Sequence, residues 1–178
     1  KAKNLVDNKS VFYPNKRKVN QYKFFLKNQL SERDHEEIIK ICKKIKINWF
    51  STPANFEDID YLEKFNPIAY KIGSDDLTNL PLIEYAANTK KAIILSTGMS
   101  TMFEIIEAVN TIEKSKNKNI FILHCISDYP SKEESANLNI IKTLQKRFKY
   151  PIGLSDHTDN DMTSIVATSM GAKIIEKH

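Results

Sequence analysis

Six short polar clusters hold most of the side chains in this sequence that could do chemistry: Ser51-Thr52, Lys71 with Ser74 and Asp76, Ser96-Thr97, His124 through Tyr129, Ser155 through Thr158, and Glu176-Lys177-His178. Small hydroxyls grouped with Lys71 and backbone amides suit a phosphate, which offers many acceptor oxygens and favours helix N-termini. His157 and His178 suggest a second task. Two imidazoles that leave other positions to water and substrate oxygen suit Mn²⁺ or Mg²⁺ better than a closed structural zinc site. Each cluster has a plainer reading: a lone hydroxyl is as readily a helix cap, and a lone histidine is more often a hydrogen-bonded wall residue than a ligand. Six clusters in succession, and histidines in a pair, count against that reading for the set. His124 precedes Cys125, but no acid–base arrangement stands beside the thiol, so both read as interior-lining groups. His35 lies on a solvated helix and receives no role.

The elements that must position these clusters repeat along the chain. Strand candidates cover Ile47–Ser51, Ala69–Ser74, Ala92–Thr97, Ile120–Cys125, Ile152–Ser155 and Ala172–Lys177, mostly as continuous apolar runs of the kind covered on both faces. Helices fit between them. Ser31 with Asp34 starts a helix over Glu32–Ile45, and Thr101 with Glu104 forms a capping box for Met102–Lys114. Phe56–Phe65, Leu77–Asn88, Leu138–Arg147 and Met162–Met170 supply four more. The polar residues that close the strands, Thr52, Ser74, Ser96, His124, Ser155 and Glu176, are separated by 22, 22, 28, 31 and 21 residues. That is a regular βα repeat, and in an α/β barrel the catalytic groups sit at the C-terminal strand ends.

The fold expected is therefore an α/β (β/α)8 TIM barrel, present as about six βα units. Eight units take roughly 250 residues, so one or two units are expected to be missing from these 178 residues, as in a fragment. A doubly wound open sheet is the alternative, but the four glycines, Gly73, Gly98, Gly153 and Gly171, form no G-x-G-x-x-G.

Composition narrows the class. A hydrophobic content of 41% allows a sizeable core. The longest apolar runs are strand-sized, the N-terminal residues do not resemble a secretory signal, and Cys42 and Cys125 show no metal-like spacing. These features suggest a cytoplasmic protein with reduced thiols and no membrane association. The net charge is +5, from 27 basic and 22 acidic residues. Its lysines are spread over several helices without stacking aromatics, which favours attraction of small anions over nucleic-acid binding.

The ordered segments Phe50-Ser-Thr-Pro, Lys71-Ile-Gly-Ser-Asp-Asp-Leu-Thr-Asn-Leu-Pro-Leu, Ile94-Leu-Ser-Thr-Gly-Met, Leu123-His-Cys with Tyr129-Pro, Gly153-Leu-Ser-Asp-His-Thr and Gly171-Ala-Lys-Ile-Ile-Glu-Lys-His cover nearly the whole chain. Together they make it resemble the N-acetylneuraminate synthase group, including the legionaminic and pseudaminic acid synthases. The resemblance implies a phosphoenolpyruvate-dependent (β/α)8 barrel followed by a small C-terminal antifreeze-like domain that reaches into a partner subunit, and hence a homodimer. On that reading residues 1–178 are the central and C-terminal part of the barrel, without its first strands or the antifreeze-like domain.

The carried-over roles are His157 and His178 as metal ligands, with Thr52, Lys71, Ser74, Ser96 and Ser155 around phosphoenolpyruvate. Ser127, Tyr129 and Asp76 fall to the N-acylated amino-sugar, and Lys71, His157 and His178 form the catalytic set. Ser127 stands where some relatives carry Asn, and Gly73 where Ala is common. The implied reaction joins C3 of phosphoenolpyruvate to the sugar aldehyde, with a divalent metal, Mn²⁺ or Mg²⁺, as Lewis acid. Another phosphoenolpyruvate or sugar-phosphate aldolase barrel, with Lys71 as a Schiff-base amine, is the alternative within enzymes. A basic nucleic-acid-binding module is the alternative outside them.

Overall fold

A computed structural model of the chain describes residues 10–12 and 18–178. It divides into two compact units, Lys1–Trp49 and Phe50–His178. In the first, β1 (Ser10–Phe12) pairs antiparallel with β2 (Lys18–Asn20), and α1 (Gln21–Asn28) starts at once from Asn20, whose side chain accepts the Lys23 N–H. α2 (Glu32–Ile45) begins with the expected capping box, Ser31 and Asp34 satisfying each other's backbone amides. It stops at Lys46, which takes the left-handed conformation usual for a helix end (φ 57°).

The second unit carries the repeat. After α3 (Phe56–Glu63) come β3 (Ala69–Ile72), α4 (Leu80–Asn88), β4 (Ala92–Ser96), α5 (Met102–Lys114), β5 (Ile120–Cys125), α6 (Asn139–Arg147), β6 (Ile152–Asp156), α7 (Met162–Ser169) and β7 (Ile175–Lys177). The five strands form one parallel sheet in the order β3-β4-β5-β6-β7. Every strand lies beside its sequence neighbour, so the sheet never reverses direction. A doubly wound sheet needs such a reversal, and that alternative is excluded.

Because successive side chains point to opposite faces of a strand, the register sorts them into two rows. Lys71, Ile94 and Phe121 are paired neighbours, as are Ser96 with Leu123, Cys125 with Ser155, and Ser155 with Glu176. This row faces away from the helices. The alternate row, which includes Tyr70, Ile72, Ile93, Leu95, Ile122 and Leu154, is buried against them. Its polar members show the direction: the Tyr70 hydroxyl donates to Ile59 O on α3, and Asp156 accepts from Ser164 on α7. The helices close the layer with Leu82, Ile83 and Ala86 of α4, Ile105, Ala108 and Ile112 of α5, and Ile141 and Leu144 of α6. Among the described residues no helix is long and apolar enough to cross a membrane.

Three expectations need correction. Ile47–Ser51 is not a strand: only Ser51 pairs, in a single parallel bridge to Tyr70, with the Lys71 N–H donating to Ser51 O. Ile47 and Phe50 stay exposed, so the burial that would fix the run as a strand is missing. The second unit thus has five strands and one bridge where six strands were expected. α4 begins at Leu80 rather than Leu77, because Ser74–Asp76 form a 3-10 turn and Pro81 lies in the first turn of the helix, where its missing N–H costs nothing. Finally, β7 is confined to Ile175–Lys177, half the length expected for Ala172–Lys177.

Gly153 sits where β6 packs closely against Ile174 and Leu123. A Cβ there would lie 2.4 Å from Ile174 O and 2.6 Å from Leu123 Cδ2, one of them unyielding backbone. At Gly73 it would meet only Asp75 Oδ1, the free end of an exposed side chain, and the backbone there (φ −65°) accepts any residue. Gly153→Ala is therefore expected to destabilise the protein by about 1–3 kcal/mol. Gly73→Ala should change stability by less than about 0.5 kcal/mol. Urea melts of the two variants check this; equal losses would contradict it.

Candidate functional site

The strand ends of the helix-free row converge. Lys71 on β3 and Glu176 on β7 belong to opposite edges of the five-stranded sheet, four strand intervals or roughly 19 Å apart if the sheet were flat. Their side chains nevertheless meet, with Lys71 Nζ 3.4 Å from Glu176 Oε2. A lysine side chain cannot span the flat distance, so the sheet curls until its edges face each other, as in a half-barrel.

Around that ion pair the other groups fall into place. Ser155 Oγ donates to Glu176 Oε1 at 2.6 Å, and His178 Nε2 lies 3.2 Å from the same oxygen. His157 follows β6 directly and His178 follows β7; their rings stand edge to face with centroids 4.6 Å apart. Tyr129 stacks on His157 at 4.0 Å and meets His178 edge-on at 5.8 Å. Ser74 and Ser127 share a hydrogen bond of 3.1 Å. Gly98 brings the loop after β4 against this pair: its N–H donates to Cys125 Sγ, and a Cβ would fall 2.3 Å from Ser127 Oγ. Ser96 is 2% exposed, and its hydroxyl finds no hydrogen-bond partner among the described residues. Thr52 is exposed, one residue beyond the Ser51 bridge, and Asp76 lies in the turn that follows β3.

The charges are arranged for a cation and an anion side by side. Burial works to raise the Glu176 carboxyl, but the Ser155 hydrogen bond, the Lys71 charge and the His178 contact outweigh it and hold it below the usual carboxylate value. Burial lowers the His157 imidazole against the opposing hydrogen bond to Ile126 O, with His178 adding to the lowering, which favours the neutral ring. His157 Nδ1 lies 2.6 Å from Ile126 O, which can only accept. The ring proton is therefore on Nδ1, and Nε2 is the acceptor nitrogen, 3.3 Å from Ser155 Oγ on the side of the cluster; this is the tautomer and backing carbonyl typical of a metal-binding histidine. His157, Glu176 and His178 can each offer one ligand atom, all within 4.8 Å of one another. This donor set of two imidazoles and a carboxylate fits a divalent ion such as Mn²⁺.

Glu176 had no role in the sequence reading, although it is the hub of the cluster. Its signal was present: alternation on β7 puts Glu176 and His178 on one face and Lys177 on the other. The same alternation explains His124, which falls in the helix-facing row and donates from Nε2 to Ala136 O at 2.8 Å. It packs between sheet and helices, whereas the sequence suggested that it lines the barrel interior.

The sequence model of the NeuB family matches residues 1–178. The chain is 38% identical over 185 residues to the N,N'-diacetyllegionaminic acid synthase of Campylobacter jejuni, a match covering 100% of this chain and 55% of that protein. It is 39% identical over 161 residues to the pseudaminic acid synthase of Helicobacter pylori, covering 90% and 47%. The solved N-acetylneuraminic acid (sialic acid) synthetase of Leptospira borgpetersenii superimposes with a TM-score of 0.85 at 33% identity, over 88% of this chain and 55% of that one. The chain spans about half the length of the curated relatives it matches.

The buried histidines make stability acid-sensitive. Burial lowers the folded-state pKa of His124 below the ordinary value, outweighing the hydrogen bond to Ala136. Below about pH 6.5 the unfolded chain takes up this proton more readily than the fold does. Stability is therefore full above that pH and falls as pH drops toward the depressed value. His124→Gln, which keeps a donor for Ala136 O, is expected to lose less melting temperature between pH 7 and pH 5 than the parent. Parallel losses in thermal melts would contradict this.

Proposed function

The chain belongs to the NeuB family, and from that premise we propose that the protein condenses phosphoenolpyruvate with an N-acylated amino-sugar to give a nonulosonic acid and phosphate. The observation that supports it best is the Lys71–Glu176 pair, which sets a cation for anionic oxygens directly beside a metal-binding set of imidazoles. N-acetylmannosamine and related 2,4-diacetamido sugars are the acceptor class, since the relatives are named for different sialic-acid-like products. The same reading takes the five strands and the Ser51 bridge as six consecutive positions of a (β/α)8 barrel. Other barrel strands and an antifreeze-like domain would come from elsewhere in a homodimeric protein about twice as long.

In the reaction, C3 of phosphoenolpyruvate bonds to the aldehyde carbon of the open-chain sugar, water adds at C2, and the C2–O bond to phosphate breaks. His157 and His178, with Glu176 beside them, would hold Mn²⁺ or Mg²⁺, which when bound polarises the aldehyde oxygen as a Lewis acid. Lys71 and the hydroxyls of Thr52, Ser74, Ser96 and Ser155 hold the carboxylate and phosphate of phosphoenolpyruvate. The buried, unpartnered Ser96 hydroxyl is a donor kept ready for such an oxygen. Glu176 is held ionised and is the group of the cluster able to take the proton released by the water. Ser127, Tyr129 and Asp76 are assigned to the sugar side. An aldolase acting through a lysine Schiff base is disfavoured, because it needs an unpaired amine and Lys71 faces a carboxylate.

The full-length protein is expected to release phosphate from phosphoenolpyruvate only when both an N-acylated mannosamine-type sugar and a divalent metal are present; release without the sugar would refute the reading. Lys71→Ala should raise the KM for phosphoenolpyruvate by about tenfold or more while the KM for the sugar changes little, because one charge-assisted contact is lost on one substrate. Initial rates with each substrate varied separately decide this, and equal weakening of both would remove Lys71 from that role. Borohydride trapping with pyruvate should leave Lys71 unmodified.

A further inference from the structure

Behind the two histidines, on the helix-facing side of the sheet, lies a second charged pair. Asp156 and Lys177 are register partners at the ends of β6 and β7, in a row made mostly of apolar residues such as Ile122, Ile152 and Leu154. The Asp156 side chain is 1% exposed and accepts four hydrogen bonds: from Lys177 Nζ (3.1 Å), the Thr158 N–H (2.9 Å), Thr158 Oγ1 (2.8 Å) and Ser164 Oγ (2.6 Å). Lys177 is equally committed. Its ammonium also donates to Thr158 O (2.5 Å) and Asn160 O (2.7 Å), so its three protons go to Asp156 and to the loop that leaves β6.

Asp156 is buried while the Lys177 side chain is about a third exposed, and such a pair is weak support for stability, because desolvating the carboxylate costs much of what the attraction returns. Its position suggests what it does instead. His157 stands between Asp156 and Thr158, two of the residues that the ammonium grips, and His178 follows Lys177 itself. The His178 N–H donates to Asp156 O at 3.1 Å, so one residue ties both histidine-bearing backbones together. On its other side His157 is fixed by Ile126 O and by the Ser131 N–H that donates to His157 O. We infer that Asp156 and Lys177 are positioning residues that clamp the ends of β6 and β7 from behind and so set the spacing of His157 and His178 for a shared divalent ion. This rests on the reading of the two histidines as metal ligands.

The test is binding of Mn²⁺ alone to the full-length protein, followed by the electron paramagnetic resonance of free Mn²⁺, with thermal melts of the metal-free protein alongside. Outer groups that orient metal ligands typically change metal affinity 10–100-fold when lost, so Lys177→Met is expected to weaken Mn²⁺ by about tenfold or more. Ser164→Ala removes one bond to Asp156 but leaves the Lys177 grip, and should keep Mn²⁺ affinity within about twofold while lowering the melting temperature. Should Lys177→Met fail to fold, Lys177→Gln, which keeps a donor but loses the charge and reach, is judged by the same criterion. If affinity in these variants tracks melting temperature, Ser164→Ala included, the pair is merely structural and the inference is overturned. A folded Lys177 variant that binds Mn²⁺ like the parent also overturns it, while loss of binding in His157→Ala keeps the metal site itself. If His157→Ala binds Mn²⁺ like the parent, the metal reading fails and the clamp's purpose with it.

Discussion

The ion pair between Lys71 and Glu176 joins the first strand of the sheet to the last, and most of the site depends on it. Two side chains that begin on opposite edges of a five-stranded sheet can meet only if the sheet curls. Once it does, every strand end between them faces a common centre. Ser96, Cys125 and Ser155 occupy the intervening strands on the same face, and the register keeps them in step. A slip of one residue in any strand would send its polar residue to the helices and an apolar one to the site.

That pair also sets the electrostatic character of the cluster. Glu176 is about a quarter exposed and Lys71 about a tenth, so neither charge is well solvated and each relies on the other. Ser155 and His178 take up one carboxylate oxygen and Lys71 the other. The carboxylate is thereby kept ionised next to a neutral imidazole. A negative group, an imidazole and an ammonium are gathered within a few ångströms of one another at the strand ends.

Much of this was legible in the sequence because it depends on period and local chemistry. Continuous apolar runs marked β3 to β6, and the capping boxes at Ser31 and Thr101 fixed the starts of α2 and α5. The misreadings have physical causes. Ile47–Ser51 has the composition of a strand, but a strand exists only where a neighbour pairs with it, and here one residue does. Leu77 continues the apolar pattern of α4, yet Asn79 and Pro81 together make a stronger start signal. Glu176 was overlooked because a carboxylate at a strand end looks like a solvated charge until the chain folds it against Lys71.

The sequence by itself determined roughly where β3 to β6 lie and which chemical types stand near their ends, since these follow from apolar runs along a strand and from capping within one helix turn. It determined the pairing of His157 with His178 as well, because both follow directly on adjacent strands. Only the tertiary structure decided that Glu176 is the hub, that Tyr129 stacks on His157, that Ser96 keeps a buried hydroxyl without a partner, and that Asp156 and Lys177 brace the histidines from behind. Those facts depend on how far the sheet curls and on contacts between residues 20 to more than 100 positions apart, and no local pattern encodes a distance across a barrel mouth.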